Sequence, residues 1–432
     1  MRNLLIRVSI RLADKIRTNQ KIAENITQFL LSCCSVFPDS YIKLKIYDFF
    51  LRFNFQDKRS LSVLYKAINL SRKFCHRLIQ SINNHGTIIR SIIVKKYISP
   101  AEKGVLIVSF ESELMKLAAL PSLEKVQKKY HIVFLPSWQP FYSMAFYLYL
   151  SKTKEPLWIM PSSARDKELC ATLGSIVQPL PFQASSWVNA DFYKHDNVKK
   201  NIDVIMIANF SSYKRHWKLF EILKDLPPCS KVVIAGRPLQ RRTEEVLLKE
   251  AEAFGARDRF ELVKNPSDEM LLDYLFRAKL FCAMSHKEGS YIAIAEALLA
   301  GTPVGMFEDA IIGSKDYINS NTGILFTNKE PLSRQIVNFL QKAGRLDPSE
   351  WARENISAQV NGDKLNDIMK QICLAKGGEW TTDLAGFYCK NFNFHYSDPD
   401  NINIFSGEYI ALEYSVGLKI EQPSHIGQGI IL

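Results

Sequence analysis

Two glutamates eight positions apart, Glu288 and Glu296, stand in the run HKEGSYIAIAEALLAGTPV between His286 and Val304. An apolar strand-like stretch precedes this run, and a Gly-Thr-Pro sequence closes it. Ser290 is placed to cap a helix, Gly301 to sit just past its end, and Pro303 to stop it. Glu288 then falls in the strand-to-helix loop, and Glu296 about two turns inside the helix. Backbone N–H groups of Gly289, Ser290 and Tyr291 at such a helix start form an anion site suited to a pyrophosphate. A carboxylate deeper in the helix can accept both hydroxyls of a ribose, while one at the mouth can meet whatever the pyrophosphate carries. Taken singly, either glutamate fits an ordinary strand–loop–helix connection equally well.

The elements that must position these groups are legible as alternating short apolar runs and helical stretches, the signature of βαβ units around parallel strands. A first series starts with GVLIVSF at Gly104 and HIVFLPSW at His131. It continues with a helix near Tyr142 to Leu150, LWIM at Leu157 and a helix near Ala164 to Leu173. A second series starts with IDVIMIANF at Ile202, followed by a helix from His216, the strand KVVIAG and a helix through Glu244 to Phe254. A strand near Arg259 to Val263, a helix from Ser267, KLFCAM, a helix from Tyr291 and TPVGMF complete it. Ligands of such doubly wound sheets bind beyond the carboxyl ends of the strands, so the strand-to-helix loops should carry the chemistry.

The chain has 432 residues, enough for two cores; 47% of them are hydrophobic and 23% charged, as in ordinary globular proteins. Eight cysteines are scattered, with no CxxC pair and no histidines at zinc-ligand spacing. They read as buried thiols of a reducing compartment, and no metal site is expected. No signal peptide or membrane-spanning segment is expected; the most apolar early stretch, Phe29 to Phe37, is far shorter than the roughly 20 residues a span needs. The net charge is +12, yet residues 1 to 100 hold 18 Lys and Arg against 5 Asp and Glu, and the remainder 38 against 39. Leu4, Leu5, Val8, Leu12 and Ile16 recur there at helical spacing with basic residues between. Surface helices with solvated basic faces and docking on an anionic membrane both fit this segment; no nucleic-acid partner is expected.

The glutamate run resembles the E-x7-E motif of retaining glycosyltransferases of the GT-B fold, above all the family 4 (glycosyl transferases group 1) type: Ser285, Glu288, Gly289, Glu296, Ala297, Gly301, Thr302, Pro303 and Val304 match in register. ANFSSYKRHWKLFEIL, from Ala208 to Leu223, is similar to the family's phosphate-binding loop, with Lys214 on the family lysine. Asn209 stands where the family has an arginine, and Arg215 is expected to supply that charge. VVIAGRP resembles the family's Ala-Gly strand end, which makes Arg237 a further diphosphate candidate. The resemblance covers about Asn201 to Leu340.

It implies an α/β chain with two Rossmann-like domains and a cleft between them, plus a basic helical extension. The expected bounds are an extension over 1–100, an acceptor-side domain over 101–195, a nucleotide-sugar domain over 196–350, and a helix and tail over 351–432. It implies transfer of a sugar from a nucleoside diphosphate sugar to an acceptor hydroxyl with retention, without cofactor or obligatory metal, in surface polysaccharide or glycolipid assembly. Lys214 and Glu288 would be catalytic. Lys214, Arg215, Arg237, Glu288, Gly289, Ser290, Tyr291 and Glu296 would bind the donor, and Glu111, Ser137 and Trp138 would lie on the acceptor side. The place of action would be the cytoplasm, peripheral to the inner membrane face, with a saccharide or lipid-linked acceptor. VFLPSWQPFYS lacks the histidine many family members carry there, and a catalytically silent nucleotide-sugar-binding or membrane scaffold is the alternative.

Overall fold

The computed structural model describes residues 2–18, 87–138, 143–194, 198–239, 241–343, 346–417 and 419–423. The chain divides into two compact units, one of Met1–Thr18 with Val188–Ser357, the other of Asn19–Trp187 with Ala358–Leu432. Each is built on its own sheet and its own apolar core.

Helix α1 (Arg2–Thr18) has the expected helical spacing. It belongs to the unit of Val188–Ser357, where Ile10 packs on the core and Asp14 is buried. The further basic helices expected up to residue 86 lie outside the described residues. At the end of that segment the expectation of helix fails. Strand β1 (Thr87–Ile88) is followed by β2 (Ser91–Lys95), all five residues of which are buried. The β-branched pair Ile92 and Ile93, with Val94, packs well on a pleated surface. β2 therefore joins β3 (Gly104–Ser109) as an antiparallel edge.

Helices α2 (Glu111–Ala119) and α3 (Leu123–Lys129) lead to β4 (Tyr130–Leu135). Then come α4 (Met144–Lys152), β5 (Leu157–Ile159), α5 (Ala164–Cys170) and β6 (Val177–Pro179). The sheet runs β2-β3-β4-β5-β6 and is parallel from β3 onward. β3 and β5 are buried along their whole length, as expected of strands in a parallel sheet covered on both faces.

The second sheet is entirely parallel. Its elements are β7 (Val204–Ile207), α6 (His216–Leu223), β8 (Val232–Gly236), α7 (Glu244–Ala253), β9 (Glu261–Lys264) and α8 (Asp268–Arg277). They continue with β10 (Phe281–Ala283), α9 (Ile292–Leu299), β11 (Val304–Phe307) and β12 (Gly323–Phe326), followed by α10 (Leu332–Ala343) and α11 (Ser349–Ile356). The order β12-β11-β10-β7-β8-β9 reverses direction between β7 and β10, which are paired neighbours. At such a switch point the loops leaving the two strands turn to opposite faces and leave a crevice above the carboxyl ends.

Beyond α12 (Ala358–Ala375) the segment without sequence periodicity is ordered. A hairpin of β13 (Phe387–Lys390) and β14 (Asn393–Tyr396) precedes α13 (Asn401–Val416) and β15 (Lys419–Ile420), which pairs with β1. Asn391 and Phe392 turn the hairpin with φ of 50° and 63°, the conformation a two-residue loop of this hand demands. Phe387, Phe394, Tyr396 and Phe405 enter the core under β2–β6, and the Tyr396 and Tyr409 hydroxyls bond the backbone of Ile93. Most of the aromatic richness of this tail is core, with Phe392 and Tyr414 left exposed.

Candidate active site

The switch point brings together the two sequence runs singled out for chemistry. Lys214 lies in the loop after β7 and Glu288 in the loop after β10, so residues 74 apart in sequence become neighbours. The Lys214 Nζ donates to Glu288 Oε2 at 2.5 Å, with both side chains under one-tenth exposed. The other Glu288 oxygen accepts from the Ser285 hydroxyl. The Glu288 loop is itself pinned, since Ile311 N–H bonds the His286 carbonyl at 2.7 Å and Gly313 N–H the Gly289 carbonyl at 3.1 Å.

An ammonium has three donors, and Glu288 is the one hydrogen-bond partner of the Lys214 Nζ among the described residues. The rest of its surroundings are aromatic: Nζ lies 3.7 Å from the Tyr291 ring centroid and 5.5 Å from that of Tyr213. A dry cation with uncommitted donors can receive an anion, because its charge acts in a low-dielectric site and is oriented beforehand.

The helix carrying Glu296 starts one residue later than expected. Tyr291, not Ser290, is the N-cap of α9, in a left-handed conformation (φ 48°, ψ 73°) and without a side-chain cap bond. A left-handed residue cannot continue into helix backward, so Ser290 is left in the loop, where it is 5% exposed. The far end forms as expected: Gly301 takes φ 73°, its N–H bonds Leu298 O, and Thr302 N–H bonds Ala297 O, the Schellman pattern that needs a glycine there. Glu296 is half-buried on this helix. Burial, with the charge and hydrogen bond of Glu296, pushes the Tyr193 phenol well above its ordinary range. Tyr193 was not singled out in the sequence; nothing in its surroundings there signals a partner more than a hundred positions away.

Arg215 stands beside Lys214 in the chain, but its left-handed backbone (φ 57°) sends the guanidinium to Asp14 of α1, at 2.9 Å. Asn209, at the family arginine's place, bonds Ser211 N–H through its oxygen and the Tyr213 hydroxyl through its amide, at 3.1 and 3.3 Å. Arg237 is exposed at the end of β8. A side chain on the preceding Gly236 would collide with the Ala208 carbonyl, at 1.9 Å from its Cβ, so glycine is what lets β8 pass beneath the loop after β7. In the other unit, the Glu111 carboxylate takes both the backbone N–H and the hydroxyl of Ser137, and the Trp138 carbonyl accepts from Ser162 at 2.8 Å.

His216 opens α6 two residues after Lys214. It is 1% exposed, its ring lies between those of Phe210 and Phe220, and neither nitrogen has a hydrogen-bond partner. Burial, then the charges of Arg242 and Lys214, hold its pKa down to about 3. It is a neutral packing residue, not a base. His131 at the start of β4 is likewise lowered to about 4 by burial and by Lys103 and Lys376.

Residues 189–355 match the family model for glycosyl transferases group 1. That domain and the two-sheet architecture make the chain a glycosyltransferase of the GT-B fold. Among solved structures, Anabaena Alr3699/HepE in complex with UDP and glucose is 13% identical, with a TM-score of 0.50 over 61% of this chain and 78% of that one. The same protein in complex with UDP is 12% identical, with a TM-score of 0.50 over 69% and 82%. Sucrose-phosphate synthase (tll1590) from Thermosynechococcus elongatus is 13% identical, with a TM-score of 0.50 over 63% and 74%. No curated protein sequence matches the chain. Among the described residues no helix is long and apolar enough to cross a membrane.

Proposed function

We propose that the chain transfers a sugar from a nucleoside diphosphate sugar to an acceptor hydroxyl with retention, using Lys214 and Glu288 as its catalytic pair. The observation that carries this reading is the buried Lys214–Glu288 contact at the switch point, with donor capacity on Lys214 left over. As the glycosidic bond breaks, negative charge grows on the leaving diphosphate. Lys214 and the backbone at the start of α9 meet that charge, an effect worth about 3 kcal/mol per well-placed donor. Glu288 steadies the sugar hydroxyls, Glu296 holds the ribose, Arg237 lines the donor, and Gly289, Ser290 and Tyr291 meet its diphosphate through their backbone N–H groups. Arg215 serves the donor only if Asp14 releases it. Glu111, Ser137 and Trp138 belong to the acceptor side. No metal takes part on this reading, so the rate is unchanged by EDTA.

The HepE complex with UDP makes UDP the first nucleotide to try. Calorimetric titration with UDP, GDP and their sugar conjugates should find one tight ligand, and Lys214→Ala and Glu296→Ala should each weaken it at least about tenfold. No binding by the unaltered chain would sink the reading. Asn209 in place of an arginine favours the silent-binder alternative, which predicts nucleotide binding with no sugar release or transfer over any acceptor panel.

The acceptor on this reading is a saccharide or lipid-linked saccharide at the cytoplasmic membrane face. Support comes from α1, where Leu4, Leu5, Val8 and Leu12 are 53 to 62% exposed beside the exposed Arg11 and Lys15. Flotation with phosphatidylglycerol vesicles should fall when Leu4, Val8 and Leu12 are all changed to Asp. Equal recovery would remove the membrane from the proposal.

A further inference from the structure

Tyr291 combines three features that ordinary core packing does not require together. Its backbone is left-handed, a conformation an aromatic residue rarely adopts and that persists only where the surroundings impose it. Its side chain is nonetheless buried, and its hydroxyl donates to the Ile207 carbonyl at the end of β7, at 2.9 Å. The ring, held at one end by that bond and at its edge by Phe281, presents its face to Lys214 Nζ at 3.7 Å. The left-handed turn is what points the side chain inward to β7 rather than along the start of α9.

We infer that Tyr291 is a positioning residue, whose ring face holds the Lys214 ammonium in place when Glu288 lets go of it to engage the donor. The inference rests on the donor-site reading above. In the free protein Lys214 has two restraints, the Glu288 carboxylate and the Tyr291 face. On that reading Glu288 must turn to the sugar, and a lysine on four rotatable carbons would then lose its aim. The ring remains, because its own anchor is the backbone of β7 and not the donor. Tyr213 adds a more distant face, and Asn209 bonds its hydroxyl, so the residue at the missing arginine's place also serves the lysine. Burial and the nearby Glu288 carboxylate keep the Tyr291 phenol un-ionised, hence a hydrogen-bond donor to Ile207 and a neutral face for the cation.

The test separates packing from cation holding. Tyr291→Leu keeps an apolar filler and removes the ring face, whereas Tyr291→Phe keeps the face and removes the anchor. Calorimetry with UDP and with uridine, which has no phosphate for Lys214, reads the difference. Tyr291→Leu should bind UDP about tenfold more weakly with uridine unchanged, Tyr291→Phe should lose less than about threefold, and in a Lys214→Met background Tyr291→Leu should have no further effect. Equal loss for UDP and uridine, or undiminished loss in the Lys214→Met background, overturns the inference and leaves the donor site standing. Absence of any nucleoside diphosphate binding by the unaltered chain overturns the donor-site reading and this inference with it. A measurement on the unaltered chain guards against a variant that fails to fold: the Lys214 ε-methylene protons should resonate upfield under the ring, and an ordinary shift there overturns the inference.

Discussion

Lys95 with Glu102 in one unit and Lys214 with Glu288 in the other are both lysine–glutamate pairs removed from water, with opposite completeness. Lys95 Nζ spends its donors on Glu102 Oε1, Thr382 O and Thr382 Oγ1, all within 2.7 Å. Glu102 in turn accepts from Thr381 N–H, the Thr381 hydroxyl and Thr382 N–H. Burial works to raise the Glu102 carboxyl, but these bonds outweigh it and bring the pKa to about 2. Lys214 has one such bond and two ring faces. A saturated buried pair ties segments together, here β2 to the tail at Thr381 and Thr382. An unsaturated one keeps capacity for something not yet bound.

The largest effect should come from breaking the saturated pair. Lys95→Met leaves Glu102 charged and buried, which costs about 3–5 kcal/mol. Hydrogen exchange should speed accordingly at Ile92, Ile93 and the β13–β14 hairpin. If exchange there is unchanged, the pair does not knit the tail to the sheet. Acid should act in the same direction: a carboxyl lowered in the folded state adds stability above its unfolded value near 4.5 that disappears as pH falls toward 2.

Double replacement sharpens the contrast. Lys214→Met with Glu288→Leu should be neutral or stabilising by about 1–4 kcal/mol, as when buried ion pairs elsewhere are exchanged for apolar side chains, while donor binding is lost. Lys95→Met with Glu102→Leu should instead cost at least about 2 kcal/mol, because Thr381 and Thr382 lose their acceptor. Denaturant midpoints of the two double variants and the unaltered chain decide it; a destabilised Lys214/Glu288 double variant would mark that pair as structural.

How much of this was readable beforehand differs between the two units for the same reason. Strand runs such as VVIAG and the Gly301-Thr302-Pro303 stop carry their own geometry, so the parallel sheet and the end of α9 follow from local chemistry. The nearness of Lys214 and Glu288 follows from the strand order, which the motif's resemblance supplies and no local pattern does. The destination of Arg215 was not legible, because it is decided by Asp14, 201 positions away, and by a positive φ that an arginine does not announce. The tail hid its core role because aromatic residues spaced for a hairpin and a single helix give no long period.

Two histidines, His216 buried and His131 half-buried, offer a smaller contrast. His216 in one unit and His131 in the other both resist protonation, His216 at about 3 and His131 at about 4. A histidine lowered in the folded state adds stability that is complete above about 6.5 and lost as pH falls below it. Each can steepen acid loss by at most about 1.4 kcal/mol per pH unit. His216→Phe should flatten the decline of its own unit between about pH 6 and pH 4 and raise that unit's stability at pH 7, since no nitrogen bond is given up. An unchanged acid slope would mean that water reaches the imidazole.

The smallest effects lie along α1, where one helix carries a buried and an exposed pair. Arg215–Asp14 has side chains 10% and 11% exposed, and Arg11–Glu221 has 51% and 31%. The exposed pair is screened and mobile, so Arg11→Gln should change stability by less than about 1 kcal/mol. Asp14→Asn keeps the shape but leaves the Arg215 charge without its counterion, and the nearest relief is for α1 to lift and admit water. Amide exchange in α1 should therefore quicken several times more in Asp14→Asn than in Arg11→Gln, while exchange in β7–β12 stays the same. If the nucleotide also binds more tightly to Asp14→Asn, Arg215 has moved to the donor and Asp14 is what restrains it. If affinity is unchanged, Arg215 serves only to seat α1.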